Sequence, residues 1–190
     1  MQSPLHRANI LRRGVSDFGF GIAVNAQRGL YAVQVFTGPG MPHDLQPGEQ
    51  ATPLTGEAQL QAALDQINRL RREAERSPLQ ASLVLSEAAR NLLPDPSAES
   101  FAFGGRGLYN ALPADERTQW QSLNVLAAAC GGCGDAPTAA DIRDFAQQWL
   151  QDERHRATLL APTTTHLGFA MAANGEGKKT ALTVLGRRLQ

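Results

Sequence analysis

Cysteine is almost absent: Cys130 and Cys133 are the only two in 190 residues. That excludes a disulfide-dense miniprotein and a four-cysteine zinc site within one chain. Charge of one sign is also lacking, since eighteen basic residues balance eighteen acidic ones. Without a basic field, nucleic acid is not held through bulk phosphate attraction, and no nucleic-acid partner is expected. No apolar run approaches the roughly 20 residues of a transmembrane helix, so no transmembrane segment is expected. The opening residues, Met1-Gln2-Ser3-Pro4-Leu5-His6-Arg7, hold no apolar core, so no signal peptide is expected in the chain as given. Aromatics are few, at 6%. Apolar residues at 42% with charged residues at 19% nonetheless describe a globular chain. Its length suits one well-cored domain, or one domain and a fragment.

An internal repeat is present. HRANILRRGVSDFGFGIAVN from His6 aligns without a gap on HRATLLAPTTTHLGFAMAAN from His155. His6 meets His155, Arg7 meets Arg156, Leu11 meets Leu160, Gly19 meets Gly168, Phe20 meets Phe169 and Asn25 meets Asn174. Each copy continues into a second apolar stretch, Leu30 to Phe36 and Thr180 to Leu185. The pattern in each is a short helix, a strand, a turn rich in Asn and Gly, and a strand. The first copy's Phe18, Phe20, Val33 and Val35 are expected to form an apolar face that water should not meet.

Residues 38–53 are rich in Gly and Pro and read as a linker. Leu60, Leu64, Ile67 and Leu70 then follow helical spacing behind Thr55 as N-cap, with Arg71, Arg72 and Glu73 expected on the solvated side. A second helix runs from about Ser82 to Leu92 and stops at Pro94. Gly104-Gly105-Arg106-Gly107 lacks the P-loop lysine and reads as a turn. A third helix starts at Thr138, with Asp141 completing a capping box and Ile142, Phe145, Ala146 and Trp149 as its apolar stripe. Trp120 and Trp149 are expected core anchors. Arg187 and Arg188 are expected at the surface.

Trp149 followed by His155-Arg156-Ala157-x-Leu-Leu, then a glycine-containing strand and a hairpin, resembles the C-terminal half of a bacterial CAP domain. This is the superfamily of cysteine-rich secretory, antigen 5 and plant pathogenesis-related proteins. Ile67-Asn68-x-x-Arg71 and Leu85-x-x-Ala88-Ala89 match its N-terminal half. The resemblance covers 57–187, most weakly 94–122. It implies an α/β protein of the α+β type, a three-layer α-β-α sandwich with an antiparallel central sheet, preceded by an extra short helix and β-hairpin. The expected organisation is residues 1–37 as the C-terminal fragment of an upstream CAP-like domain, 38–53 as linker and 54–190 as a CAP-like domain.

The resemblance places His155 in the position of the family's C-terminal cavity histidine, with Asn124 and Trp149 expected in the same ligand cavity. His6 is its equivalent in the fragment. The family cavity usually carries two histidines and two acidic residues that can bind a divalent metal. Here no histidine lies between His43 and His155, and Leu123 stands where the acidic ligand belongs. Asp152 or Glu153 lies near the remaining acidic position. One imidazole and one carboxylate fall short of the three or four ligands zinc needs. The resemblance therefore implies a non-enzymatic protein of the bacterial envelope or exterior, periplasmic or extracellular. It would bind a small apolar molecule, a lipid, an envelope component or a protein partner. The alternative is a metal-dependent, hydrolase-like activity at His155 with Asp152 or Glu153, using zinc. Cys130 and Cys133 form either a local disulfide or two free thiols; Gly134, Asp135 and Pro137 argue against the helix that a thioredoxin-like motif needs. The N-terminal hairpin is expected to pair with the following sheet, or between two chains as a homodimer, or with an upstream half.

Overall fold

The computed structural model describes residues 3–98 and 107–189, so Gly104, Gly105 and Arg106 of the glycine-rich turn lie outside it. The chain opens with helix α1 (Pro4–Ile10) and strands β1 (Asp17–Val24) and β2 (Leu30–Thr37). After the linker come α2 (Gly56–Glu73), the two-residue β3 (Gln80–Ala81) and α3 (Leu83–Leu92). Two short 3-10 turns (Leu108–Ala111 and Arg117–Gln119) lead to β4 (Trp120–Cys130), α4 (Ala139–Gln151) and α5 (Glu153–Leu159). The hairpin of β5 (His166–Ala173) and β6 (Lys179–Arg188) closes the fold.

The central sheet runs β3-β5-β6-β4. It is antiparallel except where β3 joins β5 in parallel. Alternation along its strands sends side chains to two apolar layers, as period-2 geometry requires. On one face Leu167, Phe169, Met171, Ala181, Leu185, Leu126 and Ala128 meet α2, α4 and α5 through Leu60, Ala63, Ile67, Ile142, Phe145, Trp149 and Leu159. On the other face Ala170, Leu182, Val184 and Trp120 meet α3 through Leu85, Ala88, Ala89 and Leu92. The result is the α-β-α sandwich expected from the sequence.

Helix starts follow local chemistry. Ser82 caps α3 by accepting from the Leu85 N–H. Thr138 and Asp141 form a reciprocal capping box on α4, so the shorter aspartate serves where glutamate is usual. Thr55 stands at the N-cap of α2 but makes no side-chain cap bond.

Arg71 overturns an expectation. Placed by helical spacing on the solvated side, it is fully buried. Its guanidinium donates to the Ser77 carbonyl at 2.9 Å, to Leu159 O at 2.6 Å and to Ala161 O at 3.2 Å. Nearby, Asn68 Nδ2 donates to Leu79 O at 3.0 Å and Oδ1 accepts from Leu79 N–H at 2.7 Å. The Asn68-x-x-Arg71 pair is thus a buried clamp on the carbonyls at the end of α5 and of the loop that leads into β3.

The linker is more anchored than its composition suggests. Arg143 of α4 reaches Asp44 Oδ2 at 2.9 Å and Glu49 Oε2 at 2.5 Å. Gly40 forms an antiparallel bridge with Cys133.

Among the described residues the N-terminal hairpin forms its own two-stranded sheet and does not pair with the sheet of the domain that follows. Its register sets Phe18 against Phe36 and Gly19 against Val35. Phe18 and Phe20 therefore lie on one face and Val33 and Val35 on the other, not on a single apolar face as expected. Both faces are apolar.

Candidate functional site

His155 sits in the first turn of α5, immediately after the break between α4 and α5 at Asp152. Asp152 is the N-cap of α5: its Oδ1 accepts from the His155 backbone N–H at 2.9 Å. The same oxygen lies 3.7 Å from His155 Nδ1. That backbone hydrogen bond holds the Asp152 carboxyl below its ordinary value against desolvation, with the His155 charge and the Arg154 N–H and charge acting in the same direction. Both side chains are exposed, at 41% and 52%. Glu153, beside them, is exposed. The carboxylate nearest the histidine is therefore already engaged as a helix cap, a role α5 needs for its start.

Asn124 is exposed on β4, opposite Leu185. Trp149 is 2% exposed in the core, where its indole N–H donates to Ala127 O at 3.1 Å. It is a packing anchor between α4 and the sheet. A cavity of about 590 Å³ at the foot of the N-terminal hairpin is lined by Asn9, Arg12, Arg13, Gln34 and Phe36 among others, and by none of His155, Asn124 and Trp149. His6 repeats the His155 arrangement, exposed on α1 with its backbone N–H 3.5 Å from the capping Ser3 Oγ.

The donor set near His155 does not fit a zinc ion: it offers one imidazole and one carboxylate committed to a cap. Among the described residues a second group, Cys130, Cys133 and Asp141, brings three ligand atoms within 4.8 Å of one another. Cys130 and Cys133 are joined in a disulfide. Asp141 Oδ2 accepts from Lys179 Nζ at 2.6 Å, with both side chains buried. That site is a structural knot, in which the disulfide ties the end of β4 to the loop that meets Gly40 and Gly177 O.

Sequence reasoning missed the surroundings of His166. This residue, with Gln80, Gln121, Thr165, Arg187 and Arg188, lines a cavity of about 470 Å³ at the end of the central sheet. Its ring meets Trp120 edge-on, with centroids 5.3 Å apart, and Nδ1 is 2.8 Å from Thr165 Oγ1. Burial, then the Arg188 charge, pushes the imidazole below its ordinary value. Arg188 stacks over the Trp120 ring at 5.8 Å. The Arg187-Arg188 pair, exposed as expected, was the one sequence signal; only strand pairing of β4 with β6 brings Trp120 to it.

The model of the cysteine-rich secretory protein (CAP) family matches residues 64–185. No curated protein matches the chain. Among solved structures, a cysteine-rich secretory protein from Staphylococcus aureus superposes with a TM-score of 0.53 at 14% identity, over 95% of this chain and 60% of that one. The CAP domain of Enterococcal PrgA superposes with a TM-score of 0.47 at 15% identity, over 76% of this chain and 65% of that one. An outer surface protein from Borrelia burgdorferi gives 0.49 at 13% identity, over 74% of this chain and all of that one. The chain thus spans about 60% of the staphylococcal protein's length. At these identities the likeness is one of fold.

Proposed function

The chain belongs to the cysteine-rich secretory protein (CAP) family, and from that premise we propose that it is a non-enzymatic binding protein of the bacterial envelope or exterior. One observation carries the proposal: the carboxylate beside His155 caps α5 through the His155 backbone N–H. A histidine acting as general base needs an orienting group on its ring and a reacting atom within reach. Here Asp152 holds the backbone of His155, and the ring lies at 3.7 Å on an open surface. His155 reads as a residue of the helix start. The Cys130–Cys133 disulfide supports an oxidising compartment. The binding surface offers protein or envelope chemistry: large apolar side chains stand exposed on the N-terminal hairpin.

Elemental analysis of the purified chain after zinc loading and dialysis tests this reading, alongside His155→Ala. Substoichiometric zinc in both, and unfolding of the variant within about 0.5 kcal/mol of the parent, is expected. One zinc per chain that disappears in His155→Ala would instead establish the metal-dependent alternative.

A further inference from the structure

The N-terminal unit repeats the last unit of the domain element for element, at the same constant offset that relates His6 to His155. α1 corresponds to α5, β1 to β5, and Ser3 and Asp152 cap their helices in the same way. Asp17 faces Thr37 as His166 faces Gly186, and Val24 faces Leu30 as Ala173 faces Lys179. Even the turns agree. Asn25 Oδ1 accepts from the N–H groups of Gln27 and Gly29, as Asn174 Oδ1 does from Glu176 and Lys178.

The two units differ in what covers them. Leu167, Phe169 and Met171 are buried beneath α2 and α4; their counterparts Phe18, Phe20 and Ile22 are between 56% and 61% exposed. Leu182 and Val184 are buried beneath α3; Val33 and Val35 are 59% and 53% exposed. The outer edge of β6 is bonded along its length by β4, whereas β2 has only β1 as a strand partner among the described residues. A hairpin apolar on both faces with a free edge has the character of the middle layer of a sandwich.

A glycine identifies the missing layer. At Gly168 an added Cβ would overlap the Leu85 carbonyl carbon and Ser86 N, so α3 rides directly on the strand backbone there. At the corresponding Gly19 only Val35 Cβ lies near, at 3.7 Å. Glycine inside a strand weakens it and marks a place where another backbone approaches closely. Gly19 keeps that space with no helix in it.

We propose that the N-terminal unit docks the first half of a CAP fold other than the one in residues 54–151. That half supplies an α2-like and an α3-like helix for the two faces and a β4-like strand for the free edge of β2. A second copy of this chain does not serve in this mode. Each copy carries two such hairpin units and one covering half, already occupied, so it brings a further uncovered hairpin with it.

The test supplies the cover in the geometry of the counterpart. Residues 54–151 of this chain, fused directly ahead of Ser3 of the complete chain, stand to the N-terminal unit as they stand to Asp152. Hydrogen exchange is followed in 17–24 and 30–37. Amides there are expected to slow at least about 100-fold relative to the unfused chain, and Gly19→Val is expected to abolish the gain. In the unfused chain Gly19→Val is expected to change neither exchange nor stability. A second fusion carrying Phe18→Leu and Ile22→Met matches the side chains of β5 and removes misfit as an explanation. A hairpin unprotected in both fusions overturns the proposal. So does a concentration-dependent dimer of the unfused chain that protects the same amides, since the occupant is then a second copy.

Discussion

Replacing Lys179 by methionine removes the positive half of the most buried ion pair in the domain. Lys179 Nζ donates to Asp141 Oδ2 at 2.6 Å, and the two side chains are 0% and 1% exposed. That oxygen also accepts from Thr138 N–H at 2.8 Å and Thr138 Oγ1–H at 2.7 Å. Among the described residues, Asp141 Oδ1 is buried with no partner. Lys179→Met leaves a carboxylate desolvated without a counter-charge, which costs about 3–5 kcal/mol. The two bonds from Thr138 survive and favour the lower end of that range. Asp141→Asn strands the ammonium instead, at a similar cost, and weakens the capping box by about 1 kcal/mol. The double variant removes both charges. Its cost is expected near 1–2 kcal/mol, mostly the weakened cap, giving a coupling of at least about 2 kcal/mol. Urea unfolding near pH 7 with the disulfide intact measures each variant; 3 kcal/mol corresponds to roughly 6–12 °C in Tm for a chain of this size. A loss below about 1 kcal/mol for Lys179→Met, or a double variant equal to the sum of the singles, would refute the reasoning.

Gly168→Ala is expected to destabilise by more than about 3 kcal/mol or to prevent folding, because the new methyl overlaps the α3 backbone. Gly19→Ala in the same chain is expected to lie within about 1 kcal/mol of the parent; equal losses at the two sites in urea unfolding would break the equivalence drawn between them. Arg71→Lys is expected to cost about 2–3 kcal/mol, since an ammonium cannot reach the Ser77, Leu159 and Ala161 carbonyls together; full retention of stability would show that those bonds contribute little. For His166 the imidazole titrates below its unfolded value of 6.5. Stability tied to its neutral form is therefore complete above about pH 6.5 and is lost as the pH falls through the lower folded value. His166→Gln is expected to flatten the change in urea midpoint between about pH 7.5 and 5.5, and an unchanged slope would remove His166 as its source.

Local chemistry was legible from the residues. The repeat, the capping box at Thr138 and Asp141, the stop at Pro94 and the apolar stripes of α2, α3 and α4 each depend on neighbours within a turn or two, where spacing and side-chain type suffice. The motif around His155 and the Asn68-x-x-Arg71 spacing pointed to the right fold for the same reason. What Arg71 touches was not legible: the carbonyls of Ser77, Leu159 and Ala161 come from segments that only folding brings together.

The tertiary structure alone decided three further matters. Strand register divided Phe18 and Phe20 from Val33 and Val35, because neighbouring side chains in a strand point to opposite faces and pairing sets which strands share them. The packing of α4 on the sheet buried Trp149 in the core, while Asn124 on β4 stayed exposed; sequence spacing fixes neither. Packing gave two copies of one sequence pattern opposite fates. The repeat dictated the same helix, hairpin and turn twice, since those are local; whether the apolar faces are covered depends on helices and a strand from elsewhere in the fold, and only the second copy has them.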